Sequence, residues 1–234
     1  MTKKLFSADS IARSDGISEN SSIKIFHYMD WIRYNKLVRH YFQQEIKDFA
    51  SFIIHELSVD YQARILEIGC GTGWVTLELA RRLPEATVIG WDQNPDLIKI
   101  ANQNREAENL TNVDFVHSVA ESLNSFSTRS FDVVISFKAF HHWTNAVHVL
   151  NEIERILKQN GKFAITDHRK DLKLLARAAL WFSARTMPKD FRHHWKQMFD
   201  NSHPVKDALK IFLQSKLKDW KLRTTLFDYL IFKD

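Results

Sequence analysis

LEIGCGTG, residues 66–73, decides how the rest of the chain is read. The β-rich run Ala63-Arg64-Ile65-Leu66-Glu67-Ile68 ends abruptly in Gly69-Cys70-Gly71-Thr72-Gly73, and a helix-favouring run over residues 74–83 follows. That order spells strand, glycine turn, helix. Glycine takes φ > 0 without strain and leaves no Cβ between backbone and ligand, so three at alternate positions make a tight turn open to close approach. The first N–H groups of the following helix favour an anionic group at the same place. Three of the chain's six glycines fall here, more than a simple reversal of direction needs.

Working outward, a second strand, Thr87-Val88-Ile89-Gly90-Trp91, ends in Asp92. It lies about twenty residues past the turn, where an acid can accept hydrogen bonds from ribose hydroxyls. Phe131-Asp132-Val133-Val134-Ile135-Ser136 is almost wholly apolar and suits a parallel strand buried on both faces. LEIGCGTG, VIGWDQNPDLIKIA and FDVVISFKAFHHW resemble the successive motifs of class I S-adenosylmethionine-dependent methyltransferases. The similarity covers residues 63–167 well and is looser outside them. It implies an α/β fold: a Rossmann-like, doubly wound seven-stranded sheet, order 3-2-1-4-5-7-6, last strand antiparallel. It also implies S-adenosyl-L-methionine as cofactor and methyl transfer to an O, N or C atom of a small-molecule acceptor. A nicotinamide-dependent reductase shares the sheet type, but the alternate-glycine spacing fits it poorly.

The remaining segments fill in that frame. Asn94-Pro95-Asp96 predicts a helix start, with Asn94 as cap. A third strand is expected at residues 113–116 and a linker over 121–129. A helix is expected over 146–158, stopped by Asn160-Gly161, and a fifth strand over 162–167. Strand and helix alternate, which predicts parallel pairing with right-handed crossovers. A helix over 205–216 and strands at 220–225 and 227–232 close the chain. Residues 1–57 read as an N-terminal segment with cap helices, and residues 58–234 as the methyltransferase domain, with a helical insertion at about 168–203. Within the first part, residues 1–22 are polar and loose. Apolar spacings of three and four over 23–57 predict two helices, broken near Asn35 or later. By resemblance, His27, Tyr28, Trp31 and Tyr34 cover the cofactor site, and Tyr28 and Trp31 with the insertion line the acceptor pocket. By pattern alone, the same aromatic stripe reads as core.

Composition limits the other classes. The chain carries a net charge of +5, yet residues 162–234 hold sixteen Lys and Arg against eight Asp and no Glu, so the basic character belongs to the last third. Such a face can attract RNA, a membrane or an acidic substrate, and equally can be a solvated lysine-rich surface. Nucleic acid is not the favoured partner, and Ser136-Phe137-Lys138-Ala139 lacks the prolines of an Asn/Asp-Pro-Pro-Tyr motif for base amines. A single cysteine, Cys70, rules out an internal disulfide framework. No run is long and apolar enough to span a membrane, and the first ten residues lack the apolar core of a secretory signal, so the expected compartment is cytoplasmic.

Methyl transfer from a sulfonium is an in-line displacement at an activated carbon, so the protein mainly binds, orients and excludes water. The resemblance assigns Gly69, Cys70, Gly71, Gly73 and Glu67 to the methionine end of the cofactor. It gives Asp92 the ribose and Gln93 the adenine flank. Many relatives have an Asp before an Ala in the third loop; here Val119 takes that position, so Ser118, Glu121 or the backbone at Val119 and Ala120 must meet the adenine edge. Ser136 and the two residues after it lie beside the methionine amino group. His141 and His142 are candidate bases, since a histidine titrates near neutrality, although either could merely cap the next helix. His193 and His194 in the insertion are weaker candidates. No His/Cys/Asp cluster has the spacing of a usual zinc site, so no metal is expected. A binding protein that keeps the fold without turnover, or an RNA or protein methyltransferase, remain the other readings.

Overall fold

A computed structural model describes residues 28–234; the expectations for residues 1–27, His27 among them, and for the Tyr28 side chain lie outside what is described. The sheet has seven strands in the order β3-β2-β1-β4-β5-β7-β6. They are β1 Arg64–Ile68, β2 Thr87–Asp92, β3 Val113–His117, β4 Phe131–Phe137, β5 Leu157–His168, β6 Lys221–Thr224 and β7 Asp228–Lys233. The first five pair in parallel, Leu66 lying between Ile89 and Val134, while β7 runs antiparallel to β5 and β6. The fold class and strand order are therefore as expected.

Helices cover both faces because successive β1 side chains alternate between them. Ile65 packs in one core with α1 (Tyr28–Ser51), α2 (Trp74–Arg82) and α3 (Pro95–Ala107), joined by Ala184, Phe191 and Trp195 from the insertion. Leu66 and Ile68 pack in the other core with α4 (Ala146–Ile156) and α7 (Val205–Gln214). The insertion comprises α5 (Leu174–Ala184) and α6 (Lys189–Asn201). Asn94 caps α3 as predicted, its side-chain oxygen accepting from the backbone N–H groups of Asp96 and Leu97.

Two boundaries differ. The predicted break, near Asn35 or later, is absent: α1 runs unbroken from Tyr28 to Ser51 and continues into a π-turn, Phe52–Glu56. Asn does not disrupt the helix because its amide is engaged elsewhere. Asn35 Oδ1 accepts from Trp74 Nε1 at 2.7 Å and from Asn104 Nδ2 at 3.0 Å, and Asn104 also donates to the Thr72 carbonyl at 2.9 Å. These bonds lay α1 across the glycine turn. The second difference is at α4, which stops at Ile156 instead of running to Lys158. Leu157 has already turned extended, is buried, and pairs with Phe131 at the start of β4, so the strand claims it before the helix can.

Candidate active site

At the carboxyl ends of β1, β2 and β4 the chain leaves a cleft of about 1700 Å³, roofed by α1 and α6. The glycine turn forms its floor. Gly69 and Cys70 donate their N–H groups to the Trp91 carbonyl at 2.7 and 3.1 Å, which pins the turn to the end of β2. A Cβ on Gly69 would sit 2.3 Å from the Ala139 Cβ, so close packing alone demands glycine there. Gly71 is different. Its φ is +54°, and a Cβ built on it would meet nothing within 4 Å. Protein packing does not explain Gly71; an open approach to the cleft does. Gly73 starts α2 beneath the Phe115 ring and does not line the cleft.

Asp92 ties this floor to the next strand. Its Oδ2 accepts from Gly71 N–H at 2.8 Å and its Oδ1 from Asn94 N–H at 2.9 Å. Burial pushes the carboxyl's pKa upward and these hydrogen bonds oppose the push. An ionised carboxylate offers about four acceptor positions, so two remain for a ligand in the cleft. Glu67 lies on the face of β1 toward α2, where Thr76 Oγ1 donates to it. Burial pushes its pKa up to about 8, so near neutrality it is mostly protonated unless a cation arrives. Burial likewise pushes the Cys70 thiol upward, leaving it neutral.

The other expected residues divide. Gln93, Val119, Ala120 and Glu121 line the cleft, as does Ser118. The Val119 carbonyl already accepts the Trp91 indole N–H at 2.9 Å, and Glu121 Oε1 accepts from Asn145 N–H at 3.2 Å, at the start of α4. Ser136 is fully buried and is not at the cleft: its Oγ donates to the Ile68 carbonyl at 2.8 Å and stitches β4 to β1. Trp31 and Tyr34 of α1 do line it. Burial and the neighbouring Asp92 charge push the Tyr34 hydroxyl up to about 12, and its ring meets His194 of α6 edge-on at 5.0 Å.

The histidine pair is likewise divided. His142 lines the cleft, and burial and then the adjacent His141 hold its pKa down at about 4. His141 lies behind it, rings 4.0 Å apart, with its side chain wholly buried. Its Nδ1 lies 2.9 and 3.0 Å from the two oxygens of Asp167, whose carboxylate also accepts the His141 backbone N–H at 2.8 Å. Burial is the largest influence and would raise the Asp167 pKa, but the hydrogen bonds from His141 and the charges of His141 and His168 together outweigh it and the net direction is downward. An ionised carboxylate only accepts, so the proton sits on Nδ1. Nε2 is buried and has no protein partner.

Pattern reading named Asp167 only as a strand end and Lys138 only as one of three strand-end residues beside the methionine amino group. Both prove to be centres of polar networks. Lys138 is buried, with a left-handed φ of 56°, and its Nζ pairs with Asp228 while lying 3.3 Å from His168 Nδ1 and 3.5 Å from Glu45. The one sequence signal was adjacency: β4 and β5 end side by side, bringing FKAFHH against ITDH.

Residues 60–228 match the family described as a methyltransferase domain. Over 111 residues the chain is 37% identical to the phthiotriol/phenolphthiotriol dimycocerosates methyltransferase of Mycobacterium leprae, covering 47% of this chain and 40% of that one. Over 106 residues it is 35% identical to the fatty-acid O-methyltransferase of Mycolicibacterium smegmatis, covering 45% and 37%. The chain thus spans from 37% to 55% of the length of such curated relatives. The crystal structure of an S-adenosylmethionine-dependent methyltransferase from Aquifex aeolicus superposes with a TM-score of 0.67 at 14% identity, covering 89% of this chain and 98% of that one. This last likeness is one of fold.

Proposed function

The chain belongs to the methyltransferase-domain family, and from that premise we propose that it transfers the methyl group of S-adenosylmethionine to a small, largely apolar acceptor. One observation carries the reading. Gly71 adopts a left-handed backbone beside open space, with the Asp92 carboxylate bonded to its N–H, and this fits a ligand lying along the turn with its ribose at Asp92. The bound cofactor would supply a methyl group already activated on a sulfonium. Gly69 and Gly71 would border its methionine part, Glu67 would answer the ammonium charge, and Ser118, Glu121 and Gln93 would border the adenine.

The acceptor side is argued from the roof. Trp31, Phe42, Phe137, Trp143 and Met198 give the cleft aromatic and thioether walls, which suit an apolar body. Two relatives carry acceptors in their names, a fatty acid in one and phthiotriol or phenolphthiotriol dimycocerosates in the other. His142, neutral near pH 7, would take the proton from the acceptor's nucleophile, while Asp167 positions His141 against it.

Cofactor binding is tested by thermal shift. Saturating S-adenosylmethionine at about 100 times its Kd should add about 2.7 kcal/mol, raising Tm by roughly 5–10 °C for a chain of this size. A shift with NAD(H) but not with S-adenosylmethionine or S-adenosylhomocysteine would overturn the proposal. The base is tested separately, once an acceptor is in hand. His142→Ala should lower kcat by about 10²-fold or more with little change in KM. A base must be unprotonated, so kcat/KM in the parent should climb as pH rises through about 4 and be level at neutrality. Unchanged turnover in His142→Ala removes this residue from the mechanism.

A further inference from the structure

The insertion carries a surface that the cleft does not use. In α5 one stripe, Ala176, Leu180 and Ala184, faces the protein core. The opposite stripe is also apolar, and it is open to solvent: Leu174 is 83% exposed, Trp181 58% and Phe182 63%. Ala178 and Ala179 are exposed between them. A helix that is apolar on both sides normally has something on both sides. Charge identifies what kind of thing. From Leu172 to Lys189 the chain has Lys173, Arg177, Arg185 and Lys189 and no acidic residue, and all four cations are exposed. The Arg185 guanidinium lies over the Trp181 ring at 4.5 Å, pairing a cation with the aromatic residue best suited to an interface. No helix among the described residues is long and apolar enough to cross a membrane.

We propose that α5 docks this protein on an anionic lipid bilayer, Leu174, Trp181 and Phe182 entering the headgroup boundary while Lys173, Arg177 and Arg185 meet lipid phosphates. An apolar face with a tryptophan and a phenylalanine, flanked by cations, is the physical pattern of an interfacial helix. A second copy of the chain is a poorer occupant, because two such faces would bring like charges together. The position has a consequence for traffic through the site. Four residues, 185–188, separate α5 from α6, whose His193, His194 and Met198 line the cleft. An apolar acceptor leaving the bilayer at α5 would therefore meet the cleft without crossing open water. The docking itself does not depend on the transferase reading and is measured without activity.

The test is co-sedimentation of the full chain with vesicles of phosphatidylcholine alone and of phosphatidylcholine with one quarter phosphatidylglycerol. Binding is expected to the second and not the first, and to weaken as salt rises, since the surface potential is screened within a Debye length. Trp181→Ser/Phe182→Ser should release the protein from anionic vesicles. Each of Lys173→Gln, Arg177→Gln and Arg185→Gln should lower partitioning about fivefold at low salt. Circular dichroism should show all five substitutions folded, because each site is exposed. Equal binding to both vesicle types, no binding to either, or undiminished binding by the double variant overturns the proposal. So does hydroxyl-radical footprinting in which Trp181 and Phe182 of the lipid-free full chain are protected, since residues 1–27 or a second copy would then already cover the face.

Discussion

Gly71→Ala should fold nearly as well as the parent and bind S-adenosylmethionine on the order of 100-fold more weakly, whereas Gly69→Ala should lose about 2–5 kcal/mol of stability. The two glycines are neighbours in the same turn, yet they are glycines for different reasons. At Gly69 a methyl group would sit 2.3 Å from Ala139 Cβ, at the root of the loop after β4. Overpacking of that kind costs about 1–3 kcal/mol, and the left-handed φ of +78° adds roughly 1–2 kcal/mol for any residue with a Cβ. At Gly71 only the second cost applies, because a Cβ there meets no protein atom. The added methyl instead projects into the proposed path of the ligand. A loss of affinity on the order of 100-fold, about 2.7 kcal/mol, is expected by titration calorimetry. Chemical denaturation should show Gly71→Ala within about 2 kcal/mol of the parent. Tight binding by folded Gly71→Ala would mean that the cofactor does not lie against this turn.

What pattern could read and what it could not divide along a physical line. The glycine turn, Asp92 and the apolar strands are local features, each written in a few consecutive residues, and the sheet order followed from their resemblance to a known series. The unbroken α1 was not local. Asn35 is a poor helix residue by propensity, and its tolerance depends on Trp74 and Asn104, the latter 69 residues away. Ser136 was expected beside the cofactor because it ends a strand that points there, but one residue's difference in side-chain direction buries its hydroxyl against the Ile68 carbonyl. The expected strand order already set β4 beside β5 and β7 antiparallel beside β5, but it did not say that the Asp167 side chain would meet His141 or Lys138 would meet Asp228. Contacts between distant segments carry the candidate chemistry, and a period of two or 3.6 residues says nothing about them.

The Lys138 cluster yields the second large effect, on stability. Burial alone would raise the Asp228 carboxyl, but Lys138 and His168 overcome it and hold the pKa at about 2. Relative to the ordinary 3.8, the folded protein binds this proton more weakly than the unfolded chain does. The resulting stability, about 2 kcal/mol, is present above pH 4 and is lost as pH falls from about 4 toward 2. Lys138→Met removes the cation from a site where its side chain is 6% exposed and leaves two carboxylates, Asp228 and Glu45, without it. Breaking a buried pair in this way costs about 3–5 kcal/mol. His168 then changes role. Burial and the Lys138 charge together hold its pKa at about 4; without that charge it can protonate and pair with Asp228, whose Oδ1 is already 2.7 Å from its Nδ1. A histidine whose folded pKa is raised by a partner stabilises below its unfolded value and loses that contribution as pH climbs. Urea titrations of Lys138→Met should consequently show a smaller deficit at pH 5 than at pH 8. Asp228→Asn added to the variant should cost less than it does in the parent, because the charge it removes is already uncompensated. Deficits equal at both pH values would exclude His168 as the substitute cation, and a loss below about 1 kcal/mol would show that Lys138 is solvated rather than locked between β4, β7 and α1.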